Sequence, residues 1–326
     1  MRQFLTTLLV VWTAACIATY LYSQQQNIPS GLAMAVLPAF LVEFGFYLVL
    51  GFPRVRAAFD GLGSKPLRAA LLTASAILPY LILSVLLGTF HFTALATLAA
   101  AAFAVSFWYA WIRGSMPADI LFLALLAVVY LSKIFDPIYG QPAPHMQLSI
   151  LGKLMWIRVS ILAVLSLRPM EDSHLGFVPT LRECRIGALY YLFFLPVGAG
   201  IAYLVKFAHY RPPELVWWKA ALLVVATIAA FLWVVALFEE FFFRAFLQQL
   251  LIRTLHSQVV GLIAASILFG AAHLMYRQFP NWRFAVVGGV SGIFYGLAFL
   301  KAKSVRASMV THALVVATWR VFFFSS

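Results

Sequence analysis

Residues 218–244 read WKAALLVVATIAAFLWVVALFEEFFFR. Between Ala220 and Phe238 every side chain except Thr227 is apolar or aromatic. About 20 such residues are needed for a helix to cross a hydrocarbon core. The run is therefore expected to be a transmembrane helix over 218–238. It runs straight into two adjacent carboxylates, Glu239 and Glu240, set among Phe238, Phe241, Phe242 and Phe243 and followed by Arg244. Charge inside a bilayer costs about 2.5–3.5 kcal/mol per group on insertion scales, so these acids demand a reason.

The rest of the chain has the same character. Of 326 residues, 64% are hydrophobic and 10% charged, and the mean hydropathy is +0.96. Soluble domains carry about 25% charged residues. This composition excludes a water-soluble domain, a disordered chain and a nucleic-acid-binding module, and predicts an all-α, polytopic transmembrane helix bundle. Candidate spans are 4–22, 31–51, 69–88, 92–112, 119–132, 147–167, 187–205, 218–238, 257–275, 284–300 and 307–324. The fifth is short and the sixth contains Lys153 and Arg158, so the expected number is about 9–11. The first run is too long for a signal-peptide core and reads as a retained helix. Cys16 and Cys184 do not support a disulfide framework.

The formal charge of +13 is read as topological. With the N-terminus cytoplasmic, Lys133, Lys206, Arg211, Lys219, Arg277, Arg283 and Arg320 fall on the far side. About twice as many basic residues fall on the cytoplasmic side, as the positive-inside rule requires. The polar stretch 169–186 then becomes a cytoplasmic linker. It divides an N-terminal block of about six spans, 1–168, from a C-terminal core, 187–326. No internal repeat relates the two, so an inverted-repeat transporter has no direct support.

In the N-terminal block, Glu43 is expected either to pair with one of the intramembrane cations, Lys153 or Arg158, or to lie near a span end. His91 falls in a short solvated turn. The C-terminal core holds more. Glu240 and Arg244 stand at i and i+4 with the acid first, the favourable order for a helical pair. Glu239 has only Phe242 and Phe243 at those positions. One carboxylate is thus held by arginine, and the other stands free in an apolar setting suited to acid–base work. Downstream, Phe269 and His273 share a helix face, and His312 lies in the last span. Carboxylate and imidazole together activate water, directly or through a metal.

These three ordered motifs, Glu239-Glu240-x-x-x-Arg244, Phe269-x-x-x-His273 and His312 on a final helix, resemble those of the CPBP intramembrane proteases, the family of the CAAX prenyl endopeptidases and the Abi proteins. The resemblance covers roughly residues 187–324. It implies a membrane-embedded endopeptidase acting on a membrane-associated protein or peptide, in which Glu239 and His273 activate the attacking water. Glu240 and Arg244 would position the carboxylates, and His312 would orient substrate or stabilise the oxyanion. The family has been described both as metalloproteases and as metal-independent, so a divalent ion such as zinc on Glu239, His273 and His312 and no cofactor at all both stay open. The family's distribution implies a bacterial inner (cytoplasmic) membrane. In one place the chain departs from the pattern. Where the family often has asparagine four residues after its last histidine, this chain has Val316, which has no hydrogen to donate. Thr311 and Thr318 are the nearby hydroxyls. That departure keeps a catalytically silent membrane scaffold in view, and the intramembrane acids and histidines keep an ion- or proton-coupled transporter in view.

Overall fold

The computed structural model describes residues 1–168, 174–211, 213–276 and 279–325, and the chain is 82% helical. Pro169 to Ser173, which open the expected linker, and Arg277, counted above among the far-side cations, lie outside the described residues. Contacts divide the chain into two compact units, Met1–Glu171 and Asp172–Ser326.

The first unit contains α1 (Arg2–Gln25), α2 (Ser30–Leu48), α3 (Pro53–Asp60), α4 (Lys65–Leu87), α5 (Phe92–Trp111), α6 (Met116–Leu131), α7 (Phe135–Tyr139) and α8 (Ser149–Leu167). Its axis is α8, the most enclosed of the apolar helices. Arg158 on α8 is fully buried, and its Nε and Nη2 donate to Oε1 and Oε2 of Glu43 on α2 at 2.9 and 3.1 Å. Nη1 of Arg158 also donates to Ser75 Oγ at 2.8 Å. The pairing expected for Glu43 is therefore with Arg158. Lys153 is five residues away and stays half-exposed. The Tyr80 hydroxyl, on α4, bonds the backbone of His91.

The second unit contains α9 (Leu181–Leu204), β1 (Ala208–Tyr210), the 39-residue helical rod α10 (Trp217–Leu255), α11 (Gln258–Ala272), α12 (Trp282–Ala302), α13 (Val305–Phe322) and β2 (Phe323–Ser325). The two strands pair antiparallel, Ala208 opposite Ser325. Polar residues outside the apolar runs set the helix starts. Thr180 and Glu183 form a reciprocal capping box at α9, which satisfies backbone donors the helix leaves open. Ser257, Asn281 and Ser304 each accept a backbone N–H at the starts of α11, α12 and α13.

Glycines let the helices of this unit approach closely. A Cβ on Gly187 of α9 would sit 2.7 Å from the Ala307 carbonyl of α13, and one on Gly270 of α11 would lie 2.9 Å from the Gly289 amide of α12. Small residues at helix crossings serve this purpose in membranes, where no water is expelled to drive association. At one end of the unit, Arg306 of α13 meets Glu183 of α9 at 2.9 Å. At the other, the β1–β2 ribbon joins the chain beyond the same two helices.

Two expectations are corrected. First, the linker ends before Leu181, not at 186, because the Thr180–Glu183 box starts the helix earlier than the apolar run does. Second, the eighth span does not stop at Phe238. Its helix continues to Leu255, and Glu240 and Arg244 beyond Phe238 pair with each other inside the protein. Nine helices of the described residues are long and apolar enough to cross a membrane, within the expected 9–11. The expected fifth span is the 16-residue α6, and the last forms α13, whose interior carries Arg306, Ser308, Thr311 and His312. Cys16 and Cys184 are free thiols.

Candidate active site

Glu240 lies at the middle of α10 and is completely buried. The rod widens there: residues Phe231–Ala236 and Phe241–Gln248 are π-helical on either side of a single α-turn, Leu237–Glu240. Such insertions are frequent at functional sites because they re-aim side chains. Arg244 Nε donates to Glu240 Oε2 at 3.0 Å, the pair that the spacing predicts. Ser308 on α13 donates a short hydrogen bond to the same oxygen. The other oxygen, Oε1, lies 2.7 Å from His312 Nδ1. A carboxylate paired with arginine only accepts, so Nδ1 of His312 carries the proton and Nε2 is left to the site.

Glu239 stands differently. Its side chain is 27% exposed, and its Oε2 is buried with no hydrogen-bond partner. The nearest cation-forming group is His312 Nε2, at 3.9 Å. His312 therefore stands between the two glutamates, held by one and facing the other. Tyr295 of α12 lies flat on its ring, 4.6 Å away at 13°, and Phe269 of α11 meets it edge-on at 6.0 Å.

His273 begins the turn after α11. Its Nδ1 is 2.7 Å from the Phe269 carbonyl, which only accepts, so its Nε2 is also free of the proton when the ring is neutral. The ring packs on Phe269 at 4.8 Å and on Phe284 at 4.4 Å. No ion pair or hydrogen bond joins His273 to Glu239 among the described residues. Phe269, touching both imidazoles, is the element that brings the two histidines into one neighbourhood.

Arg244 is wholly buried and stacks over Phe269 at 5.0 Å and Tyr295 at 6.0 Å. Such contacts stabilise a desolvated guanidinium by about 2 kcal/mol. Its two terminal nitrogens have no hydrogen-bond partner, and neither has Oε1 of the buried Gln248 one turn further on. Thr311 and Thr318 are both engaged: Thr311 donates to the Gly187 and Ala307 carbonyls, and Thr318 pairs with the Tyr191 hydroxyl and the Leu314 carbonyl.

The donor set also bears on the metal expectation. Glu239, His273 and His312 do not form a ligand triad, and among the described residues no group of three His, Cys, Asp or Glu side chains is spaced to hold a metal ion. The Glu240-bound nitrogen of His312 is already committed.

Ser308, Tyr295 and Gln248 carry no motif that singles them out in the sequence. Ser308 alone had a signal, since it precedes His312 by four residues and so shares its face. Together, these features define an integral multi-pass membrane protein whose helical core buries a glutamate–arginine–histidine network beside a second, unpartnered glutamate. Residues 219–318, which include every one of these site residues, match the family model described as type II CAAX prenyl endopeptidase Rce1-like. No curated protein and no solved structure matches the chain.

Proposed function

We propose that the protein is an intramembrane endopeptidase that hydrolyses a peptide bond in a membrane-associated protein or peptide, with Glu239 as general base. The observation that carries this reading is the contrast between the two glutamates. Glu240 is saturated by Arg244, Ser308 and His312, whereas Glu239 keeps a buried oxygen with no partner.

In this reading Glu239 takes a proton from water, and the resulting hydroxide oxygen bonds to the scissile carbonyl carbon. Collapse of the tetrahedral species breaks the C–N bond, and Glu239 returns the proton to the leaving amine nitrogen. His312, with Nδ1 held by Glu240, offers its Nε2 lone pair to the second hydrogen of the same water. It donates to an oxyanion only when protonated on both nitrogens. His273 offers a second free Nε2 on the other side of Phe269. Glu240 and Arg244 position His312 and do not themselves touch substrate. The two-to-one charge asymmetry supports a cytoplasmic N-terminus, and the family's distribution supports a bacterial inner membrane.

The test uses full-length protein in lipid nanodiscs with two fluorogenic probes of one sequence, one S-farnesylated on a cysteine four residues from its C-terminus and one unmodified. The wild type is expected to cleave at least one. Glu239→Gln is expected to lose about 10²–10⁴-fold in rate while remaining folded and membrane-inserted. A Glu239→Gln variant with wild-type turnover overturns the assignment. A wild type inert to both probes favours the second reading, a catalytically silent scaffold. That reading is supported by Val316, together with the engagement of both Thr311 and Thr318 elsewhere.

A further inference from the structure

Gly288, Gly292 and Gly296 recur every four residues on α12, and so form one stripe along it. A polar head stands beside each one, joined at Gly296 by Leu262, whose Cδ1 would lie nearest an added Cβ. A Cβ on Gly288 would lie 3.3 Å from His273 Nδ1, one on Gly292 would lie 3.3 Å from Arg244 Nη2, and one on Gly296 would lie 2.6 Å from Gln248 Oε1. Gly292 and Gly296 of the stripe face Arg244 and Gln248 of α10, which stand four residues apart. Arg244 and Gln248 are fully buried, and their unpartnered terminal atoms point into the glycine gap.

We infer that Gly292, with Gly288 and Gly296 flanking it, is a positioning residue of the site: its missing side chain sets the reach of Arg244, and through Arg244 the placement of Glu240 and His312. The inference rests on the proposed activity for its kinetic readout but not for its structural one. A methyl at 292 would meet three things at once, Arg244 Nη2, Phe269 Cδ1 and Ser266 Cα, each at 3.3 Å. Backbone at Ser266 cannot yield in a packed helix pair, so the guanidinium and the phenyl ring must move. Moving the guanidinium draws Nε away from Glu240 Oε2, now at 3.0 Å. Among the described residues, Glu240 is the hydrogen-bond partner of His312 Nδ1. Moving Phe269 disturbs the ring against which both histidines rest. Gly289, next in sequence but off the stripe, provides the control. A Cβ there would make only ordinary contacts, at 3.5 Å to the Ser266 carbonyl and 3.9 Å to Gly270.

The experiment is a double-mutant cycle in the full-length protein in nanodiscs, read both as peptide-cleavage kinetics and as unfolding midpoint. Gly292→Ala is expected to lower kcat by about tenfold to a hundredfold with KM within about twofold, and Gly289→Ala to leave both unchanged. Arg244→Lys removes Nη2 and with it that one contact, while those to Phe269 and Ser266 stay. Adding Gly292→Ala to Arg244→Lys is therefore expected to slow the enzyme by a smaller factor than Gly292→Ala alone slows the wild type, a non-additivity that contacting residues show and distant ones do not. Wild-type kcat in Gly292→Ala, or losses that multiply in the double variant, overturns the inference. If the wild type cleaves neither probe, the proposed function fails on its own terms. The midpoint cycle then decides the inference: a non-additive cycle sustains it and an additive one overturns it. Should Gly292→Ala not fold, Gly288→Ala, whose methyl first meets the His273 ring, is expected to lower kcat at an unchanged midpoint, and wild-type kcat there overturns the inference.

Discussion

His312 Nδ1 lies 2.7 Å from Glu240 Oε1, and both side chains are buried in the helix bundle. The contact fixes which imidazole nitrogen carries the proton and leaves Nε2 facing Glu239 at 3.9 Å. The expectation is that ¹⁵N-histidine spectra of the purified protein show His312 protonated at Nδ1, and that Glu240→Ala converts it to a mixture of tautomers. An unchanged His312 signal in Glu240→Ala would remove the carboxylate from this role.

The same carboxylate neutralises Arg244, whose guanidinium is entirely enclosed. Removing one partner of a buried pair leaves an uncompensated charge, a loss of about 3–5 kcal/mol. Glu240→Ala is therefore expected to lower the unfolding midpoint in detergent sharply. Glu240→Gln, which keeps the shape and one accepting oxygen, should fall less. Equal midpoints for both variants and the wild type would show that the pair contributes little.

Ser308 donates to the oxygen of Glu240 that Arg244 also engages. Hydrogen bonds to charged groups are worth about 1.5–3 kcal/mol. Ser308→Ala is expected to lower the midpoint by less than Glu240→Ala does and to reduce turnover, while Ser308→Thr, which keeps the hydroxyl, restores much of both. Failure of threonine to rescue would point to packing rather than to the hydroxyl.

In the first unit, Arg158 is held by both oxygens of Glu43 and by Ser75. Replacing a buried ion pair with apolar residues of similar volume is often neutral, whereas breaking it is not. Arg158→Met alone is expected to lower the unfolding midpoint strongly, and Glu43→Leu/Arg158→Met to recover most of the loss. A double variant worse than either single one would mean that the pair acts through more than charge compensation.

What the sequence made legible follows from the kind of force involved. The helical membrane class was written in composition, and the Glu240–Arg244 contact in a four-residue spacing that any helix brings together. Local polar residues marked helix starts only weakly. The start of α9 at Leu181 was missed because Thr180 and Glu183 lie in a stretch that reads as a polar loop. The continuation of α10 past Phe238 was hidden for a related reason. Whether two glutamates end a membrane helix depends on partners such as Ser308 and His312, which are distant in sequence. The glycine stripe 288–292–296 was open to periodicity arguments. Its meaning, however, lies in the side chains of two other helices that occupy the space it leaves.

Orientation in the membrane gives the last prediction. Cys184 lies in the first turn of α9, half-buried, beside the capping box and the Glu183–Arg306 pair. Tyr210 is exposed in β1, beyond the other end of the same helix. The 24 residues of α9 span about 36 Å at 1.5 Å per residue, more than the ~30 Å hydrocarbon core, so the two positions report on opposite faces. With a cytoplasmic N-terminus, and with the shorter α6 crossing as well as α1, α2, α4, α5 and α8, the Cys184 end is cytoplasmic, where Arg182, Arg185 and Arg306 cluster. A membrane-impermeant maleimide is expected to label Cys184 in a Cys16→Ser background only in inverted vesicles. Tyr210→Cys, in a background lacking both native thiols, should label only in right-side-out ones. The reverse pattern would invert the topology and place Glu183, Ser304 and the start of α13 on the outer face. Labelling of both positions from one side would mean that α9 does not cross the bilayer at all.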